Sequence, residues 1–309
     1  MIMNFVLLIA GFVLLIKGAD LFVEESSKIA TKFNVPQIVI GLTIVAFGTS
    51  APEAAVSLTA AFKGNVGITV GNILGSNIMN VLLILGAAAL FSNLKIQKTT
   101  MKYDMPLVIF VSIVMAALGI MGNNLSRLDG GILWIIFIGF FMYLIRLSKT
   151  QENEEAEELT EKDTMPKLIL LTIVGIIGIV LGSDLTVDGA TGIAKALGLD
   201  DRIIGLTIVA FGTSLPELVT SVMAAMKGKA DIAIGNIIGS NLFNILFVIG
   251  TVSLIHPIPF HQAFYFDAGV CILAVVLLFL LTVRKQELNR YAGIIMLVCY
   301  GGYFLNLVL

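Results

Sequence analysis

Apolar residues fall into ten blocks along the chain, each long enough for a helix to cross about 30 Å of hydrocarbon. The blocks cover residues 2–23, 37–62, 68–91, 103–121, 127–147, 166–186, 202–226, 232–255, 263–282 and 290–308. The connections between them are short. One alone has a distinct composition: Gln151 to Asp163 carries Glu152, Glu154, Glu155, Glu157, Glu158, Glu161 and Asp163, and reads as a solvated linker. The first block lacks a basic leader and a small-residue cleavage site, so it reads as a retained helix. The expected fold class is an all-α integral membrane protein of ten transmembrane helices.

Composition agrees with that pattern. Of 309 residues, 58% are hydrophobic and 13% charged, and mean hydropathy is +1.00, so the solvent is a bilayer. The net charge of −2 points to no nucleic acid and no particular protein partner. Cys271 and Cys299 sit in apolar runs and suggest neither a disulfide nor a metal site. His256 and His261 flank prolines in a connection and read as surface residues. Asp20 and Glu24, with Asp184 and Asp188, read as the solvated ends of spans 1 and 6. With the N-terminus outside, fifteen of the nineteen Lys and Arg residues fall in inside connections, leaving Lys63, Arg127, Lys195 and Arg202 outside. Both termini are therefore expected outside, in a plasma membrane.

Two blocks contain nearly the same words. Residues 41–53 read GLTIVAFGTSAPE and residues 205–217 read GLTIVAFGTSLPE, an offset of 164. Continued without a gap over 41–80 and 205–244, that offset gives 25 identities in 40 positions. The chain is a duplication: residues 1–147 and 166–309 form two five-helix repeats, and 148–165 link them. Five is odd, so the halves enter the membrane from opposite sides. Inverted repeats of this kind are typical of alternating-access transporters that bind substrate between the repeats near the midplane.

The repeated motif explains what the duplication carries. Pro52 has no N–H, so the backbone at Ala46 to Ser50 should kink or unwind and free carbonyls. Thr49 and Glu53 are i and i+4 and share a face; Ser50 adjoins them. One turn thus supplies a carboxylate, two hydroxyls and loose carbonyls, all suited to hard cations, and a glutamate inside a membrane span is a functional candidate. The third and eighth blocks hold GNILGSNIMN (Gly71 to Asn80) and GNIIGSNLFN (Gly235 to Asn244). Their glycines fit close helix packing, but Asn72, Asn77, Asn80, Asn236, Asn241 and Asn244 need hydrogen-bond partners in hydrocarbon. Ser76 and Asn80 share one face, Ser240 and Asn244 another, and these faces are expected to meet the glutamates. Helices 2, 3, 7 and 8 are expected to be discontinuous.

At these residues the sequence resembles the sodium/calcium exchanger family of cation/calcium antiporters, prokaryotic branch. The resemblance implies four cation sites around Glu53 and Glu217, one for Ca²⁺ and the others for Na⁺. It implies supporting oxygens from Thr49, Ser50, Thr213, Ser214, Ser76 and Ser240, and from the carbonyls of Ala46 and Ala210, with Asn80 and Asn244 completing the centre. It also implies that spans 1 and 6 slide across the remaining bundle. Some members carry Asp at the position of Asn244; Asn in both halves argues against K⁺ dependence. The expected activity is Na⁺/Ca²⁺ antiport, with H⁺/Ca²⁺ antiport as the alternative and a passive cation channel behind it. No cofactor is expected, Ca²⁺ and Na⁺ being cargo. An enzyme is not expected, because the motifs hold no nucleophile with its base.

Overall fold

The computed structural model describes residues 2–62, 67–150, 159–197 and 210–308. Every expected span is represented by helix: α1 (Ile2–Lys32), the bent pair α2 (Gln37–Thr49) and α3 (Ala51–Phe62), α4 (Thr69–Phe91), α5 (Thr100–Gly122), α6 (Arg127–Thr150), α7 (Met165–Ala196), α8 (Ala210–Thr213) with α9 (Leu215–Met226), α10 (Ala230–Ile255), α11 (Ala263–Thr282) and α12 (Arg290–Val308). Seven described helices are long and apolar enough to cross a membrane, and eight if the bent pair counts as one. The first residues of the expected span 202–226, and most of the acidic linker, lie outside the described residues.

Burial separates two kinds of helix. The most apolar window of α10 is 94% buried and that of α4 78%, whereas those of α6 and α11 are 28% buried. The motif helices therefore form the centre, and the peripheral helices turn Leu, Ile and Phe toward lipid.

Helices α1 and α7 are 31 and 32 residues long, about ten residues beyond the expected 2–23 and 166–186. The extension of α1 runs through Glu24, Glu25 and Lys28, and Asp20 and Glu24 lie within the helix with half-exposed side chains. Helix formation does not require an apolar block once the charges pair along the helix. Lys28 meets Glu24 at 2.8 Å and Glu25 at 3.1 Å.

The two long helices pack antiparallel along a glycine seam. A Cβ on Gly182 would lie 2.5 Å from the Leu15 nitrogen, and one on Gly189 2.6 Å from the Leu8 nitrogen. A Cβ on Gly175 would lie 2.9 Å from the Phe22 backbone, and one on Gly11 2.6 Å from the Thr186 nitrogen. Glycines recurring every seven residues let the backbones approach to a distance that no side chain permits.

Two short ribbons tie the connections together. β1 (Leu94–Lys95) pairs antiparallel with β4 (Glu287–Leu288), and β2 (Asn124–Leu125) with β3 (Ile258–Pro259). The repeat offset carries β1 onto β3 and brings β2 to within one residue of β4, so the two ribbons exchange under the internal symmetry. Each ribbon joins one connection from each half, and the charge distribution had assigned both members of each pair to one membrane face.

Asp163, grouped with the linker acids by sequence, is buried. It turns the chain into α7: the Thr160 N–H and hydroxyl donate to its carboxylate at 2.9 and 2.7 Å. Those bonds, the backbone one foremost, hold the carboxyl below its ordinary value.

The seam predicts a selective response to added volume. Gly182→Val should cost about 1–3 kcal/mol by overpacking, lowering the melting temperature of the detergent-solubilised protein. Gly139→Ala, where a Cβ has nothing within 4 Å, should leave it unchanged.

Candidate functional site

The local backbone follows the proline logic. α2 contains a π-helical stretch, Gly41–Val45, and ends at Thr49. Ser50 leaves the helix at φ −82°, ψ 6°, and α3 restarts at Ala51 with a bend of 50°. Pro52 cannot donate to the Gly48 carbonyl, which favours a break here. The second copy does the same: Ser214 sits at φ −93°, ψ 4° between α8 and α9. In each case the glutamate falls in the first turn of the restarted helix, where the helix dipole favours negative charge.

Helices α4 and α10 each run as one continuous span. Their expected discontinuity takes the form of π-helical segments, Asn80–Leu85 and Phe243–Ile249. These lie in register with the repeat. No proline interrupts either stretch, so the helix absorbs the irregularity as a wider turn and continues.

Glu53 and Glu217 are 1% and 0% exposed. Each is braced by the opposite repeat. The Ser50 hydroxyl donates to Glu217 Oε1 at 2.8 Å, and the Ser214 hydroxyl to Glu53 Oε1 at 3.2 Å. Ser214 also lies 3.4 Å from the Ser76 hydroxyl. Ser240 donates to the Ala46 carbonyl at 3.4 Å. Thr49 donates to Asn236 Oδ1 at 2.9 Å and also approaches the Ala46 carbonyl at 3.3 Å. Thr49 and Thr213 each interact in addition with the opposite glutamate. Ala210 opens α8, and its side chain is not among those described.

The asparagines form a second layer of crossed bonds. Asn77 Nδ2 donates to the Asn241 carbonyl and Asn241 Nδ2 to the Asn77 carbonyl, both at 3.3 Å. Asn80 Nδ2 donates to Asn241 Oδ1 at 3.0 Å, and Asn244 Nδ2 to Asn77 Oδ1 at 3.1 Å. Within each half, Asn72 donates to Ser57 at 3.1 Å and Asn236 to Ser221 at 2.9 Å. Sequence reasoning missed the two serines; their signal was identity at the repeat offset, 57 to 221.

The network leaves a matched set of acceptors. Glu53 Oε2, Glu217 Oε2, Asn80 Oδ1 and Asn244 Oδ1 are buried and accept no hydrogen bond. Leaving such oxygens buried without a donor is costly, and a cation held between them would remove the cost. Among the described residues no group of three or more His, Cys, Asp and Glu gathers, so the cluster offers two carboxylates among neutral oxygens. That is the ligand chemistry of hard cations such as Ca²⁺.

Helices for all ten expected spans in two inverted halves, with a buried oxygen cluster where the halves meet, define a multi-pass membrane exchanger of cations. The chain belongs to the sodium/calcium exchanger family: the family described as sodium/calcium exchanger protein matches residues 3–146 and 167–309. The chain is 34% identical to the sodium/calcium exchanger MaX1 of Methanosarcina acetivorans over 98% of both chains. It is 39% identical to CaxA of Alkalimonas amylolytica, again over 98% of both. Among solved structures, the sodium-calcium exchanger NCX_Mj soaked with zero Na⁺ and Ca²⁺ superposes with a TM-score of 0.87 at 35% identity, covering 99% of both chains. The same exchanger soaked with 2.5 mM Na⁺ and 0.1 mM Ca²⁺ gives 0.84 over 97% of both.

The crossed asparagines predict an asymmetric sensitivity. Asn77→Leu removes the acceptor of Asn244 and a donor to the Asn241 carbonyl. It should therefore cost about 1–3 kcal/mol and lower the melting temperature more than Asn72→Leu, which removes a bond within one half.

Proposed function

We propose that the protein exchanges Na⁺ for Ca²⁺ by alternating access, with both ions held near the midplane between repeats 1–147 and 166–309. One observation carries this reading: two buried carboxylates, each braced by a serine of the other repeat, each keep one oxygen that accepts nothing. Glu53 and Glu217 are the principal Ca²⁺ ligands. Thr49, Ser50, Thr213, Ser214, Ser76, Ser240 and the carbonyls of Ala46 and Ala210 supply further oxygens, and Asn80 and Asn244 the centre.

The charge balance explains exchange. Two carboxylates neutralise one Ca²⁺, and Na⁺ ions occupy the same cluster, so the two loads compete. An empty cluster holds two uncompensated buried charges, and moving it through a closed state is expensive. The loaded site switches faces and the empty one does not. Sodium is the counter-ion in this reading because the names of MaX1 and NCX_Mj pair it with calcium. The protein sits in the plasma membrane with both termini outside and the Lys-rich connections inside.

In proteoliposomes, an imposed Na⁺ gradient should drive ⁴⁵Ca²⁺ flux, reduced at least about a hundredfold in Glu53→Gln and Glu217→Gln, the loss of a ligand charge worth about 3 kcal/mol. Normal flux in either variant would overturn the site. Ca²⁺ flux driven by a pH gradient and indifferent to Na⁺ would assign the proton as counter-ion. Lowering the pH discharges both carboxylates, so exchange should fall as the medium is acidified; an unchanged rate down to pH 4 would contradict paired carboxylate ligands.

A further inference from the structure

Lys227 follows α9, on the second half of the chain. Its ammonium lies 2.7 Å from Asp20 Oδ1 and 3.5 Å from Glu24 Oε2, and donates to the Asp20 carbonyl at 3.0 Å. Asp20 and Glu24 stand one turn apart on α1, so a single cation with three donors spans both. Glu24 in turn accepts from Lys28 at 2.8 Å, and Lys28 reaches the buried Glu25 at 3.1 Å. At the end of the same helix, Lys32 donates to the Asp163 carbonyl at 2.6 Å. A charged chain thus runs along the inner part of α1 and ties it to the hairpin between α9 and α10.

Helix α1 packs mainly against α7 along the glycine seam and to a smaller extent against α9. The α1/α7 pair is therefore a unit, and its fastening to the central bundle on this face includes a polar bridge. Side-chain exposures of 23% for Lys227, 40% for Asp20 and 44% for Glu24 leave water within reach. A half-solvated ion pair is weak enough to open and close repeatedly. In the sequence, the repeat offset carries Lys63 to Lys227, Asp20 to Asp184 and Glu24 to Asp188, so the same charges recur in the opposite half. Lys63 lies outside the described residues.

We propose that Lys227 is a positioning residue of the transport cycle: bridged to Asp20 and Glu24 it holds α1 against the end of α9 and keeps the inner face shut. Releasing the bridge frees the α1/α7 pair and opens that face. This rests on the alternating-access reading above.

The test is Lys227→Ala beside Lys227→Arg, with Ca²⁺ half-saturation measured separately at the two faces in inside-out and right-side-out vesicles. Loss of the bridge should raise the population open to the inside. The inner half-saturating concentration then falls about three- to tenfold and the outer one rises, in line with population-weighted affinity. Lys227→Arg should keep wild-type values at both faces. Unchanged values in Lys227→Ala, or a parallel loss at both faces, would overturn the proposal while leaving Na⁺-driven exchange standing.

A second measurement does not depend on transport. Spin labels at Phe33→Cys and Met226→Cys, in a Cys299→Ser background with Cys271 buried, report the distance between α1 and the end of α9. Lys227→Ala should add a longer population, absent in Lys227→Arg. An unaltered distribution would overturn the latch even if wild-type exchange itself failed.

Discussion

A carboxylate in hydrocarbon has to find its partners in protein, and this fold meets that demand by making each half of the chain complete the other. Ser50 braces Glu217 and Ser214 braces Glu53. Neither glutamate takes its serine brace from its own repeat. The proline-assisted breaks at Ser50 and Ser214 make this possible: they turn the hydroxyl outward from its helix and begin a new helix whose first turn holds the acid.

The asparagine layer obeys the same rule. Asn77 and Asn241 exchange identical bonds, as residues do across a twofold interface between separate subunits. Here the interface lies inside one chain. Because carboxamides both donate and accept, Asn80 and Asn244 can fasten the halves through nitrogen while each keeps an oxygen turned to no donor. One end of each side chain thereby ties the halves together, and the other keeps a buried acceptor oxygen open. The close approach of Gly41 and Gly235, where a Cβ on the latter would meet the Gly41 backbone at 2.9 Å, brings the central helices near enough for these short side chains to meet.

Much of this was legible beforehand, for identifiable reasons. Span number and the inverted repeat follow from block length and an ungapped offset, and both depend on features local in sequence. Pro52 and Pro216 marked the breaks because a missing N–H acts on its own helix. The full length of α1 was hidden, since its C-terminal third is polar and stays helical through pairs such as Glu24 with Lys28. The π-helical turns of α4 and α10 carry no proline or glycine signature at Asn80 or Phe243. Asp163 looked like one more linker acid until its bond to Thr160 placed it at the turn into α7. Partners across the repeat, such as Thr49 with Asn236 or Lys227 with Asp20, depend on how the halves dock, which no local pattern encodes.

The two exchanged ribbons bear on how the protein is made. Each needs a strand from both halves: β1 waits for β4, and β2 for β3. Without the second half, Glu53, Asn77 and Asn80 of the first lack the groups that complete them. The nascent five-helix unit is therefore an intermediate rather than a finished domain. The ribbon opened by Leu94 is complete only once the connection around Glu287 is in place.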